Sequence, residues 1–162
     1  MTIHFDPSKN RGGATVGSIN DLDAVAAASV IYLRMWCDGP ENQHNVQNDF
    51  ASTLGLDRGQ QALESFSELC NLCARHGRRP LMRHAINCKC LGADEACFAN
   101  FIATAADGAR DDAMLIATLL VRPDVAPVIA SLAMDFGLAL KQMNLAAPRA
   151  LRPTQSHQTT LH

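Results

Sequence analysis

Five of the six cysteines fall between positions 70 and 97. They run Cys70-Asn71-Leu72-Cys73, then His84-Ala85-Ile86-Asn87-Cys88-Lys89-Cys90, then Cys97. Thiolate sulfur and imidazole nitrogen are the donors of structural zinc sites, and thiolates are also nucleophiles. Residues three and four apart share a helix face, so a helical reading points Cys70 and Cys73 one way and His84 and Cys88 one way. The break Gly77-Arg78-Arg79-Pro80 lies between the two pairs. If it folds the chain into a helical hairpin, the pairs arrive at matching heights, and Cys70, Cys73, His84 and Cys88 converge as a four-ligand zinc site. Cys90 is the substitute for Cys88 or His84. Such a site is closed and structural, so zinc would hold the fold and do no chemistry.

Arg75, Arg78, Arg79 and Arg83 surround the break and are four of the 14 basic residues. They could offset the charge of three thiolates. Read at a helix N-terminus, they also form a candidate site for a small anion or for an acidic surface of a protein partner. The plainer alternative is a solvated turn with charge pairs to Glu64, Glu68, Asp94 or Glu95.

Two other readings of the cysteines stay open. Leu63, Phe66, Cys70 and Cys73 are spaced three, four and three, as in a core stripe, and free cysteine packs as a small hydrophobe. Alternatively, Cys70 and Cys73 are a CxxC redox pair, although both sit late in their helix, where the dipole disfavours a thiolate. The spacing HxxxCxC resembles, one residue short, the HxxxCxxC of zinc-containing anti-sigma factors. Cys70-x-x-Cys73-x-x-His76 is likewise one residue short of the CxxCxxxH of alkylhydroperoxidase D-type proteins. Both departures fall inside the motif, so no function is carried over.

The elements that position these residues read as helices. Leu22 to Cys37 steps by threes and fours behind a Ser18-x-x-Asp21 capping spacing. Pro40 opens a mostly polar second helix, with Gly55 as its stop. Asp57 to Cys73 carries a third stripe, and Leu81 to Cys88 reads as a short continuation on a new axis. Asp94 is the expected cap of a helix burying Phe98, Phe101, Ile102 and Ala105. Ala113 to Val121 is apolar nearly all round and is expected at the centre, and Val125 to Met143 forms a long final amphipathic helix. No long stretch alternates with period two. The expected fold is therefore all-α, a single-domain antiparallel bundle of six or seven helices. It occupies 18–147, between a loose arm at 1–17 and a tail at 148–162.

At 162 residues, with 48% hydrophobic content, the chain can bury a core of its own. With only 5% aromatic residues, that core is expected to be aliphatic. The net charge of −2 and the lack of an aromatic beside the basic turn argue against nucleic acid as a partner. No apolar run is long enough to span a membrane, and no signal-peptide pattern is read at the start, so a cytoplasmic setting is expected. There is no Gly-rich phosphate loop, HExxH pair or GxSxG elbow, so an enzyme reading has no visible support. The leading expectation is a binding or regulatory module with a zinc site. A thiol redox protein and a bundle with inert core cysteines are the alternatives. Wide stripes on the last two helices make them the expected face of a homodimer.

Overall fold

The computed structural model describes residues 11–146. Most of the expected arm and all of the expected tail lie outside the described residues. Six helices dominate: α1 (Ala24–Trp36), α2 (Pro40–Leu54), α3 (Leu56–His76), α4 (Ala93–Ala106), α5 (Arg110–Leu120) and α6 (Ala126–Ala146). Two short strands, β1 (Thr15–Ser18) and β2 (Cys90–Gly92), pair antiparallel with Thr15 opposite Gly92 and Ser18 opposite Cys90. Strands of four and three residues are too short to carry a period-two signal. The last residues of the expected arm are therefore a strand.

Local signals explain most helix boundaries. Asp23 caps α1, its carboxylate accepting from the Ala26 amide at 2.8 Å. Ser18 instead caps a single 3-10 turn at Ile19–Asp21. Pro40 occupies the first turn of α2, where its missing N–H costs nothing. Gly55, at φ +87°, ends α2 and starts α3.

The expected helix at 81–88 does not form; from Arg78 to Lys89 the chain is extended or turning. Tertiary partners claim the backbone that a helix would have used. The Arg78 amide donates to Leu120 O, Gly77 bridges Val121, and the Met82 amide donates to the Asp94 carboxylate at 2.8 Å. Without that helix there is no helical hairpin at Gly77–Pro80.

The core also differs in composition and centre. Phe50, Phe66, Phe98, Phe101 and Phe136 are all fully buried. The Phe66 and Phe136 rings stack with centroids 4.4 Å apart, and Tyr32 and Trp36 meet Phe50 and Phe66 edge-on. Tyr32, Trp36, Phe50, Phe66 and Phe136 thus meet between α1, α2, α3 and α6, and Phe98 and Phe101 are buried on α4. α4 packs against α1, α5 and α6, and α6 packs against all five other helices. By contrast, α5 buries only Ala113, Ala117 and Leu120 fully and leaves Leu115 and Leu119 about two-thirds exposed.

α4 and α6 approach closely because Gly137 has no side chain. A Cβ there would lie 2.7 Å from Ala106 Cβ and 3.0 Å from Ile102 O. Gly137→Ala gains about 1 kcal/mol of helix propensity but overpacks a rigid helix crossing, which costs roughly 1–3 kcal/mol. The expected result in a urea melt is a net loss of about 1 kcal/mol.

Candidate functional site

The best-built polar site is the segment 84–90, which Arg34 of α1 holds from inside the molecule. Arg34 lies on the α1 face with Val30 and Leu33, and its side chain is 1% exposed. Its Nε and Nη2 donate to the two Glu95 carboxylate oxygens at 2.6 and 2.9 Å. Nη1 donates to Ala85 O at 3.1 Å and Cys88 O at 2.6 Å, and Nη2 also donates to Cys90 O at 2.7 Å. A guanidinium has five N–H donors, and all five are used. One buried residue therefore fixes the path of the loop at three carbonyls.

Glu95 completes the clamp from the first turn of α4. Fully buried, it accepts from the Gly92 amide at 3.0 Å, satisfying the helix start as an N3 carboxylate does. Burial alone would push its carboxyl up. The Arg34 guanidinium and the Gly92 and His84 amides overcome that and hold it below the usual carboxylate range. The expected cap, Asp94, does a different job, pairing with Arg79 at 2.5 Å and accepting the Met82 amide.

The clamp displays three chemically able side chains. The Cys88 Sγ lies 4.0 Å from His84 Nδ1 and accepts the Cys90 amide at 3.4 Å. Cys90 is exposed while Cys88, two residues before it on the loop, is half-buried, and the neighbouring Cys88 thiol pushes the Cys90 thiol up. The other ring nitrogen of His84, Nε2, is 2.9 Å from Gly13 O, a contact that puts its proton on Nε2 and the lone pair on Nδ1. Gly92 leaves room for that ring, because a Cβ there would meet His84 Cδ2 at 3.0 Å.

Cys70 and Cys73 lie elsewhere. With Cys37, Leu33, Leu81 and Phe98 they line a cavity of about 160 Å³ that has Arg83 among its walls. Burial pushes the Cys73 thiol up to about 12 and the Cys70 thiol well above its ordinary value. Both are protonated thiols at neutral pH, as the core-stripe reading expects. The two halves of the expected zinc set are therefore apart, with Cys70 and Cys73 in this cavity and His84 and Cys88 on the clamped loop. Among the described residues no three His, Cys, Asp or Glu side chains stand together closely enough to hold a metal ion.

The arginines of the expected anion site are dispersed too. Arg78 Nε donates to Thr118 O, Arg79 is engaged by Asp94, and Arg83 donates to Leu81 O at 2.9 Å. Arg75 is exposed at the end of α3. No helix begins between residues 77 and 89, so no helix N-terminus backs these cations.

Sequence reasoning missed Arg34 and named Glu95 only as a charge partner for the basic turn, not as the partner of Arg34. The available signal was a lone arginine within the apolar face of Val30, Leu33 and Cys37, a position that demands a buried partner. No described helix is long and apolar enough to cross a membrane. Comparison with protein-family models, with characterised proteins and with solved structures finds no match to this chain.

Proposed function

We propose that the chain is a helical binding or regulatory module that works through the Cys88–Cys90 dithiol on its clamped loop, with oxidation state as its signal. The observation that carries this reading is Arg34, whose five donors organise the loop that presents the two thiols. A buried ion pair is weak evidence for stability, because desolvation offsets most of its attraction. Its use here is to fix one backbone path at the surface. In the alternative CxxC pair, Cys73 is buried and burial pushes both thiols up, Cys73 to about 12 and Cys70 well above its ordinary value, whereas Cys90 is exposed and is raised chiefly by its neighbour Cys88.

The chemistry is thiol–disulfide exchange with a small disulfide such as oxidised glutathione. The Cys88 thiolate attacks one sulfur of the oxidant, breaking its S–S bond and releasing one glutathione thiolate. The Cys90 thiolate then attacks the Cys88 sulfur and displaces the second. Two protein thiols lose two electrons and two protons, and the oxidant becomes two thiols. His84 Nδ1 is placed to take the Cys88 proton.

Pulse alkylation of the reduced native protein, followed by peptide mapping, tests the reading. Cys88 and Cys90 are expected to react at least about tenfold faster than Cys70 and Cys73. Equal rates at all four would show that the loop thiols have no special access and would remove the proposal.

A further inference from the structure

The cavity beside Cys70 and Cys73 is built from other elements than the clamped loop. Its floor is Leu33 of α1, Cys73 of α3 and Phe98 of α4, all buried, and its rim includes Ala74, Pro80 and Arg83, all exposed. It therefore runs from an apolar bottom to the surface. Neither Cys88 nor Cys90 lines it, so its use is independent of the dithiol. We infer that this cavity binds a compact apolar monocarboxylate, with the hydrocarbon body against Phe98 and the carboxylate on Arg83 at the mouth.

Three observations select that class of ligand. The first is size. A volume of about 160 Å³ is close to that of an apolar cavity that takes up benzene. It suits a single ring or a short branched chain and is too small for a nucleotide or a long acyl chain.

The second is the lining. Leu33, Leu81 and Phe98 offer hydrocarbon, and buried thiols pack as small hydrophobes. Burial pushes the Cys70 and Cys73 thiols up, so both are neutral and do not repel an anion. A polar ligand body would give up its hydrogen bonds to water here without replacing them.

The third is Arg83, which alone among the described lining residues is charged. Arg34, Arg79 and Arg122 each face a carboxylate, whereas Arg83 forms no ion pair among the described residues. Its Nη1 donates to Leu81 O at 2.9 Å, which holds the guanidinium beside another lining residue. Its charge also acts against burial at the Cys37 and Cys70 thiols. A planar guanidinium takes a carboxylate through two parallel N–H bonds. A phosphate dianion would need further donors, and no helix begins between residues 77 and 89 to supply them. Of the four arginines that suggested an anion site in the sequence, Arg83 is thus the one that keeps that role, with an apolar cavity behind it.

The test titrates benzoate and isovalerate into the reduced full chain by isothermal calorimetry, with toluene and inorganic phosphate as probes of each half alone. One benzoate per chain is expected, displaced by isovalerate and not by phosphate. Toluene should bind at least about tenfold more weakly than benzoate. Arg83→Gln should weaken benzoate at least about tenfold and leave toluene unchanged. Ala74→Leu, on the exposed rim, should block both while melting near the wild-type temperature. Bound benzoate should slow alkylation of Cys37, an exposed thiol of the lining, and leave Cys90 unchanged. That readout and the comparison with toluene need no variant, so they stand even if a substitution prevents folding. Failure of both carboxylates to bind, displacement of benzoate by phosphate, or toluene binding as tightly as benzoate would each overturn the inference. So would unaltered benzoate affinity in a folded Arg83→Gln, or protection of Cys90 in place of Cys37.

Discussion

Glu95→Gln should destabilise the protein by about 3–5 kcal/mol, the range for removing one member of a buried ion pair. The large cost follows from what remains. Arg34 would stay charged and enclosed, facing an amide that can accept at one atom only. A domain of this size has a total stability of about 5–15 kcal/mol, so the variant should melt many degrees lower. Its loop should also loosen, because the guanidinium would no longer be held to the carbonyls of Ala85, Cys88 and Cys90. Arg34→Lys should fare little better. An ammonium has three donors on a flexible stem and cannot reproduce five bonds in a planar fork.

The same pair sets the acid limit of stability. The folded state holds the Glu95 carboxyl below its ordinary value, through Arg34, Gly92 and His84 acting against burial. A carboxyl lowered on folding contributes stability that is complete above its unfolded value and lost as pH falls through its folded value. Wild-type stability should therefore drop in the acid range below the ordinary glutamate value. Glu95→Gln should lack that component of the drop, which urea melts at several pH values would show.

Cys88→Ser should abolish the internal disulfide. With wild-type protein, oxidised glutathione is expected to leave Cys88 joined to Cys90 and no glutathione attached. In Cys88→Ser the attacking thiol is gone, whereas in Cys90→Ser the Cys88 thiol lacks its resolving partner and should retain one glutathione as a mixed disulfide. Cys70→Ser and Cys73→Ser should each give the wild-type product, because neither thiol is exposed or ionised. The change is all-or-none in the mass of the 84–90 peptide, and the serine side chain is too similar in size to disturb the loop much.

The helices were legible because their signals are local. Pro40 and Gly55 mark boundaries that depend on neighbouring residues, and the stripes of α3 and α6 repeat over several turns, whereas the Ser18-x-x-Asp21 spacing marks only a 3-10 turn and Asp23 caps α1. What failed depends on distant residues. Leu81 to Cys88 has helical spacing, yet Asp94 binds the Met82 amide, Arg34 binds the Ala85 and Cys88 carbonyls, and no periodicity reports those partners. The apolar stretch of α5 misled because hydrophobicity does not say whether a neighbour covers a face. Few aromatics did not mean an aliphatic core, since composition does not reveal that five phenylalanines are fully buried.

At the site, His84, Cys88 and Cys90 were legible as side chains able to do chemistry. Their separation from Cys70 and Cys73 was not, because it follows from the loop replacing a helix. Arg34 and Glu95 lie 61 positions apart, and only the folded chain shows that each needs the other. The arginines of the basic turn were visible as a cluster in sequence. Thr118 O, Asp94 and Leu81 O then divide three of them, a distribution that charge counting cannot anticipate.

The proposed function requires Arg34 and Glu95 to hold the loop so that its two thiols cooperate. The most direct measurement is a disulfide map of the native wild-type chain after treatment with oxidised glutathione, read by mass spectrometry without reduction. A single Cys88–Cys90 disulfide, with Cys70 and Cys73 still free, is the predicted result. A Cys70–Cys73 disulfide formed while Cys88 and Cys90 stay reduced would contradict it.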